Sequence, residues 1–155
     1  MKAFITGAGG QLGHDVMKEL IKRGYEVMGS DIAPSPDSGI PYVQMDITNG
    51  TLVEQILNRE KPDVVFHCAA WTAVDLAEDE DKQALVRAIN VDGTANIAAV
   101  CKKLDCKMVY LSTDYVFDGR GETPWEPDCK TYAPLNVYGQ SKLDGELAVS
   151  GMLEK

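Results

Sequence analysis

With 155 residues, 45% hydrophobic and 25% charged, the chain has the length and composition of one globular domain with a core of its own. A net charge of −9 argues against a general nucleic-acid or anionic-membrane surface, and no apolar run is long enough to span a bilayer. Cys68, Cys101, Cys106 and Cys129 show no C-x-x-C spacing and no paired histidines, which argues against a metal site and fits a reducing cytoplasm.

Short apolar runs alternate with helix-period stretches, the pattern of a parallel sheet covered on both faces. The expected fold class is therefore α/β, a Rossmann-type doubly wound parallel sheet. Lys2–Thr6 reads as the first strand and runs into a glycine turn rather than a secretory signal. Residues 11–23 have helical spacing, with Leu12, Val16, Leu20 and Ile21 on the expected inner face and Gly24 as the stop. Residues 26–30 form the second strand, and 33–39 are a surface loop by composition. A short third strand over 42–45 leads into a helix over about 52–58, and residues 63–67 form strand four. The longest helical stretch runs from about 79 to 104, with Asp92-Gly93 the place for a break. Residues 107–111 are strand five, and 135–152 are the last helix, with Pro134 at its start. Little chain follows that helix, whereas a doubly wound sheet usually continues to a sixth strand. Residues 1–155 are thus expected to be an incomplete dinucleotide-binding domain. The C-terminal substrate-binding part would be absent, and an uncovered edge could pair two copies as a homodimer.

Gly7-Ala-Gly-Gly10-Gln11-Leu12-Gly13 follows a strand and opens a helix, so a pyrophosphate can approach the helix N-terminus closely. Asp31 ends the second strand, where a carboxylate accepts the adenosine ribose hydroxyls; a cap or turn role is the alternative. Ile32 and Ala33 offer no cation for a 2′-phosphate, which favours NADH over NADPH. Asp46-Ile47 stands where adenine would lie, or else Asp46 caps a helix. Ala69-Ala70-Trp71-Thr72 is small enough at its start to let the cofactor backbone pass.

Tyr138-Gly-Gln-Ser-Lys142 places a phenol and an ammonium on one face of a helix. Using a tyrosine near neutrality means lowering its titration from pH ~10 by roughly 3 units, about 4 kcal/mol. One cation at roughly 4 Å in a partly shielded site supplies about that much. Thr113, from the end of strand five, would hold a substrate oxygen beside the phenol. The constellation suits moving a proton on or off a carbonyl oxygen; a helix with a buried Tyr and a solvated Lys is the plain alternative. Glu78-Asp79-Glu80-Asp81 suits a helix's first turn, where the dipole favours carboxylates. Trp71 and Trp125 are open between packing and a sugar-pocket wall. His14 and His67 read as structural.

Together, Gly7 to Gly13, Asp46-Ile47-Thr48, Ala69 to Asp75, Ser112-Thr113-Asp114-Tyr115-Val-Phe-Asp-Gly119 and Pro134-Leu-Asn-Val-Tyr138-Gly-Gln-Ser-Lys142 resemble the extended short-chain dehydrogenase/reductase family. Within it, the resemblance is to the dTDP-4-dehydrorhamnose reductases. It implies NAD(P)H-dependent reduction of a nucleotide-linked 4-keto sugar, with Tyr138 as proton donor. Lys142 would lower its pKa and hold the nicotinamide ribose, and Thr113 would bond the keto oxygen. Asp114 and Tyr115 join Thr113 as substrate contacts. Gly7, Gly10, Gln11, Leu12, Asp31, Asp46, Ile47, Ala69, Ala70 and Trp71, with Tyr138 and Lys142, are the cofactor residues. Related dehydratases carry Asp-Glu after the threonine; here the pair reads Asp114-Tyr115, which favours simple hydride transfer. The competing readings are another nucleotide-sugar epimerase or reductase, or a non-catalytic dinucleotide-binding subunit.

Overall fold

β1 (Lys2–Thr6) is the middle strand, with Ala3, Phe4, Ile5 and Thr6 all fully buried. Side chains alternate between the two faces of a sheet, so each strand must serve two cores. Phe4 joins Val65 on one face, while Ala3, Ile5 and Val64 belong to the other. The computed structural model describes residues 1–34 and 39–154; the middle of the expected 33–39 loop lies outside the described residues.

β1 pairs in parallel with β2 (Glu26–Asp31) and β4 (Val64–His67), β2 with β3 (Tyr42–Gln44), and β4 with β5 (Lys107–Tyr110). The order β3-β2-β1-β4-β5 is that of a Rossmann-type sheet, with the chain switching direction across β1 and β4. On one face α1 (Gln11–Lys22) covers Ile5, Val27 and Val64 through Met17. On the other, α2 (Gly50–Glu60) and α4 (Thr94–Leu104) cover Phe4 and Val65 through Val53, Ile56, Leu57, Ile97 and Val100.

The inner face of α1 differs from the periodicity reading. Gly13 and Met17 are buried and Val16 and Leu20 half-buried, whereas Leu12 and Ile21 are exposed. Gly13 draws the start of the helix so close to β1 that the face turns toward it, and Leu12 is left at the cleft described below. The long helical stretch also does not break at Gly93. A 3-10 turn (Asp75–Glu78) leads to α3 (Glu80–Arg87), and a π turn (Ala88–Gly93) widens the helix before α4. Glu80 and Asp81 occupy the first turn of α3, as their charge favours.

α5 (Val137–Met152) begins later than expected. Asn136, not Pro134, starts it: its side chain accepts the Gly139 N–H at 2.7 Å. The helix lies against α4, the π turn and a second 3-10 turn (Asp114–Val116). Glu78 reaches across from the first 3-10 turn to accept the Val137 N–H at 2.7 Å, so a carboxylate from a distant segment secures the end of α5 that holds Tyr138.

Candidate active site

The carboxyl ends of the strands open into one cleft of about 450 Å³. Ligands bind parallel α/β sheets at this end, where the strand order reverses. Every cofactor residue read from the sequence lines it except Trp71: Gly7, Gly10, Gln11, Leu12, Asp31, Asp46, Ile47, Ala69, Ala70, Tyr138 and Lys142.

The glycine turn is fixed by close approach. Gly7 has φ +69°, and a Cβ there would lie 2.6 Å from the Ala69 nitrogen. A Cβ on Gly13 would run into the Gly7 carbonyl. α1 therefore starts directly behind the β1 turn, and Gly10 at its N-cap brings no side chain to the free amides. Such amides attract an anion. Asp31 faces the same turn, with Oδ2 accepting the Gly9 N–H at 2.9 Å and Oδ1 the Ile32 N–H at 2.7 Å. Asp46 lines the cleft, and its Oδ1 accepts from Thr48 N at 2.9 Å and Thr48 Oγ1 at 2.8 Å; the capping alternative fails, because Asn49 caps α2 by accepting the Leu52 N–H at 3.1 Å.

At the other end, Tyr138 and Lys142 descend from α5 into the cleft. Lys142 is only 5% exposed, and burial pushes its ammonium down to about 8, with Glu146 opposing. Its Nζ sits 4.3 Å from the centre of the Tyr110 ring, a cation–π contact. The Tyr110 hydroxyl donates to the Lys142 carbonyl at 3.0 Å. Burial raises the Tyr138 phenol, and the neighbouring Thr113 hydroxyl acts in the opposite direction. This corrects the expectation that Lys142 lowers the phenol. The ammonium is turned to Tyr110, and desolvation dominates at Tyr138. The consequence is a phenol that keeps its proton at neutral pH, the form a proton donor needs.

Thr113, Asp114 and Tyr115 stand outside the cleft lining, beside Tyr138. The Thr113 hydroxyl donates to Asp114 Oδ1 and accepts the Tyr115 N–H, both at 3.2 Å. The Tyr115 ring meets Tyr138 edge-on, with centroids 5.7 Å apart. Trp71 is drawn away from the lining. Its N–H donates to buried Asn90 at 2.8 Å and its indole to the Ala73 carbonyl at 2.9 Å. Asn90 also donates to the Trp71 carbonyl at 3.1 Å and to Ser141 at 2.9 Å, joining the β4 exit to α5. Trp125 stacks on Phe117 at 4.5 Å, a packing contact outside the lining.

His67 is structural: Nδ1 meets Thr6 Oγ1 at 2.8 Å and Nε2 meets Thr94 Oγ1 at 3.0 Å, all three buried. Burial first, then the Lys142 charge, pushes it down to about 3, so it is neutral. Ser112, Leu111 and Cys68 also line the cleft and were missed. Their places at the carboxyl ends of strands were the available signal. Ile89, on the π turn, had none, because nothing in the sequence marks that turn.

The sequence profile of the RmlD substrate binding domain matches residues 1–155. The probable low-salt glycan biosynthesis reductase Agl14 of Haloferax volcanii is 40% identical over 149 residues, 96% of this chain and 49% of that protein. The crystal structure of a dTDP-4-dehydrorhamnose reductase from Clostridium acetobutylicum matches at a TM-score of 0.87 and 38% identity, covering 100% of this chain and 51% of that one. The dTDP-4-dehydrorhamnose reductase of Bacillus anthracis, crystallised with NADP, matches at 0.82 and 36%, covering 97% and 49%. The chain spans about half the length of these relatives.

Proposed function

The chain belongs to the RmlD substrate binding domain family, and from that premise we propose that its parent protein reduces a nucleotide-linked 4-keto-6-deoxy sugar. The substrate is dTDP-4-dehydro-6-deoxy-L-mannose and the product dTDP-L-rhamnose, with NADH as the preferred cofactor and NADPH as the other candidate. The observation that supports this most is the meeting of a glycine-turn anion site and a protonated phenol in one cleft.

The residues present fit a dinucleotide. Free amides at the start of α1 suit a pyrophosphate, and Asp31, at the end of β2, suits ribose hydroxyls. When bound, the nicotinamide supplies the hydride. Tyr138 gives its proton to the oxygen that becomes the sugar hydroxyl, and Thr113 donates a hydrogen bond to the same oxygen. Lys142, mostly charged at pH 7 with a pKa of about 8, draws negative charge toward this end of the cleft and holds ribose hydroxyls. Tyr115 walls the sugar side against Tyr138. Asp114 is a carboxylate, but Tyr115 is not, so the site lacks the second acid of a dehydratase.

Because relatives are about twice as long, the remaining substrate wall belongs in the proposal to the second half of the parent protein. The test is the parent protein incubated with each cofactor and a panel of nucleotide-linked 4-keto sugars, following cofactor absorbance and product mass. NADH oxidation with formation of dTDP-L-rhamnose is expected, and the 155-residue chain alone should be inactive. Oxidation with no member of the panel overturns the reading.

A further inference from the structure

Glu146 lies one turn beyond Lys142 on α5 and touches two segments that reach this helix only through loops. Its Oε2 accepts the Ser112 hydroxyl at 2.8 Å, and its Oε1 accepts the Tyr132 phenol at 3.0 Å. Ser112 lines the cleft and immediately precedes Thr113. Tyr132 stacks on Phe117 at 5.8 Å, and Phe117 on Trp125 at 4.5 Å, so the phenol anchors an aromatic stack between β5 and α5. We propose that Glu146 is a positioning residue, holding the Thr113 segment and the Tyr132-anchored stack in register with Tyr138 and Lys142. The proposal rests on the reductase reading for the chemistry it serves, though not for the contacts themselves.

Hydrogen bonds from hydroxyls to a carboxylate are roughly twice as strong as neutral ones, and two on one group fix both partners in direction. The Thr113 hydroxyl bonds Asp114 and Tyr115 and stands beside the Tyr138 phenol, and the Asp114–Val116 turn packs on α5. Ser112 adds a charged tie to the same helix through Glu146. A misplacement of about 1 Å at a reacting group can lower a rate about 10²-fold. Charge acts alongside geometry. Around Lys142, His67 from β4 and Tyr110 from β5 are neutral near pH 7, as is Tyr138 on its own helix. Glu146 supplies negative charge there and favours the ammonium.

Two substitutions separate these effects. Glu146→Gln retains the shape and one acceptor but loses the charge; Glu146→Ala loses both. In protein labelled with ¹³C-lysine, the Lys142 signal, assigned by its loss in Lys142→Met, should titrate near 8 in the wild type. It should fall by about half a unit or more in both variants. In the parent protein, Glu146→Ala should lower kcat about tenfold or more while the KM for NADH changes less than about twofold. Glu146→Gln should recover most of kcat at pH 7, with the alkaline limb of its pH profile displaced downward. A Lys142 titration unmoved in both variants, or a raised KM with normal kcat in Glu146→Ala, overturns the proposal. If Glu146→Ala does not fold, Glu146→Gln decides by its titration and alkaline limb. If the wild type reduces none of the sugars, the reductase reading fails, and the Lys142 titration alone still decides the role of Glu146.

Discussion

The two ends of the cleft are built by different physics. At the glycine end, around Gly7, Gly13 and Asp31, the site consists largely of backbone: a turn with φ +69°, two close approaches and a set of helix amides. At the α5 end it consists of buried side chains whose states depend on one another, with Lys142 over Tyr110, Tyr110 stacked on His67, and Tyr138 beside Thr113. A backbone site is set once the chain takes its local path, and it barely responds to pH. A site made of desolvated titratable groups is set only when the surrounding elements close on it, and its properties shift with pH. This difference predicts where each end can be broken.

The largest expected effect is on stability at the α5 end. His67 titrates near 6.5 in an unfolded chain and about 3 here, so between those values the unfolded state binds a proton that the folded state refuses. Stability should be full above pH 6.5 and fall by about 5 kcal/mol as pH drops to 3, in addition to what other groups contribute. Urea unfolding of wild type and His67→Gln across this window measures it; equal slopes would place the acid sensitivity elsewhere.

Next is Tyr138→Phe, which should lower turnover of the parent protein by about 10²–10⁴-fold while NADH binding measured by calorimetry changes little. Normal turnover would remove the phenol from proton transfer and leave the α5 end without its chemistry.

A smaller effect comes from Lys142. Its pKa of about 8 lies below the ordinary 10.5, so the folded chain gains stability as pH rises from 8 to 10.5, by about 3 kcal/mol. Lys142→Met should flatten this rise, read as thermal midpoints at pH 8 and 10. A wild-type midpoint that does not rise relative to Lys142→Met would show the ammonium to be well solvated.

The glycine end should yield the smallest change, confined to cofactor choice. Asp31→Ala removes a charged acceptor, and the ratio of NADH to NADPH affinity should move about tenfold toward NADPH. An unchanged ratio would mean that Asp31 serves mainly its bond to Gly9. The NADP bound to the Bacillus anthracis relative makes this comparison worth measuring first with both cofactors.

Most of the strand and helix order was legible, because alternating and 3.6-residue patterns are local and each apolar run feeds a buried strand such as Lys2–Thr6. The exceptions have specific causes. Leu12 and Ile21 fit a helical stripe, but the close approach at Gly13 rotated the buried face to Met17. Asn136 displaced Pro134 as the start of α5, since a side-chain acceptor for the Gly139 N–H outweighs a favoured φ. Trp71 belongs to the right segment, yet Asn90 and the Ala73 carbonyl hold it away from the cleft.

By itself the sequence determined what depends on neighbours in the chain. The glycine spacing sets the turn, Asp31 ends the second strand, and Tyr138 and Lys142 share one helix face because they are one turn apart. Only the tertiary structure decided what depends on distant segments and on exclusion of water. Glu78 meets Val137, Glu146 meets Ser112, and Thr6 and Thr94 meet His67, across separations that no local pattern encodes. The same holds for protonation. A sequence shows that a tyrosine and a lysine are near each other, but the cost of desolvating each charge is fixed by everything packed around it. That cost makes Tyr138 a proton-bearing phenol and Lys142 a weakened cation.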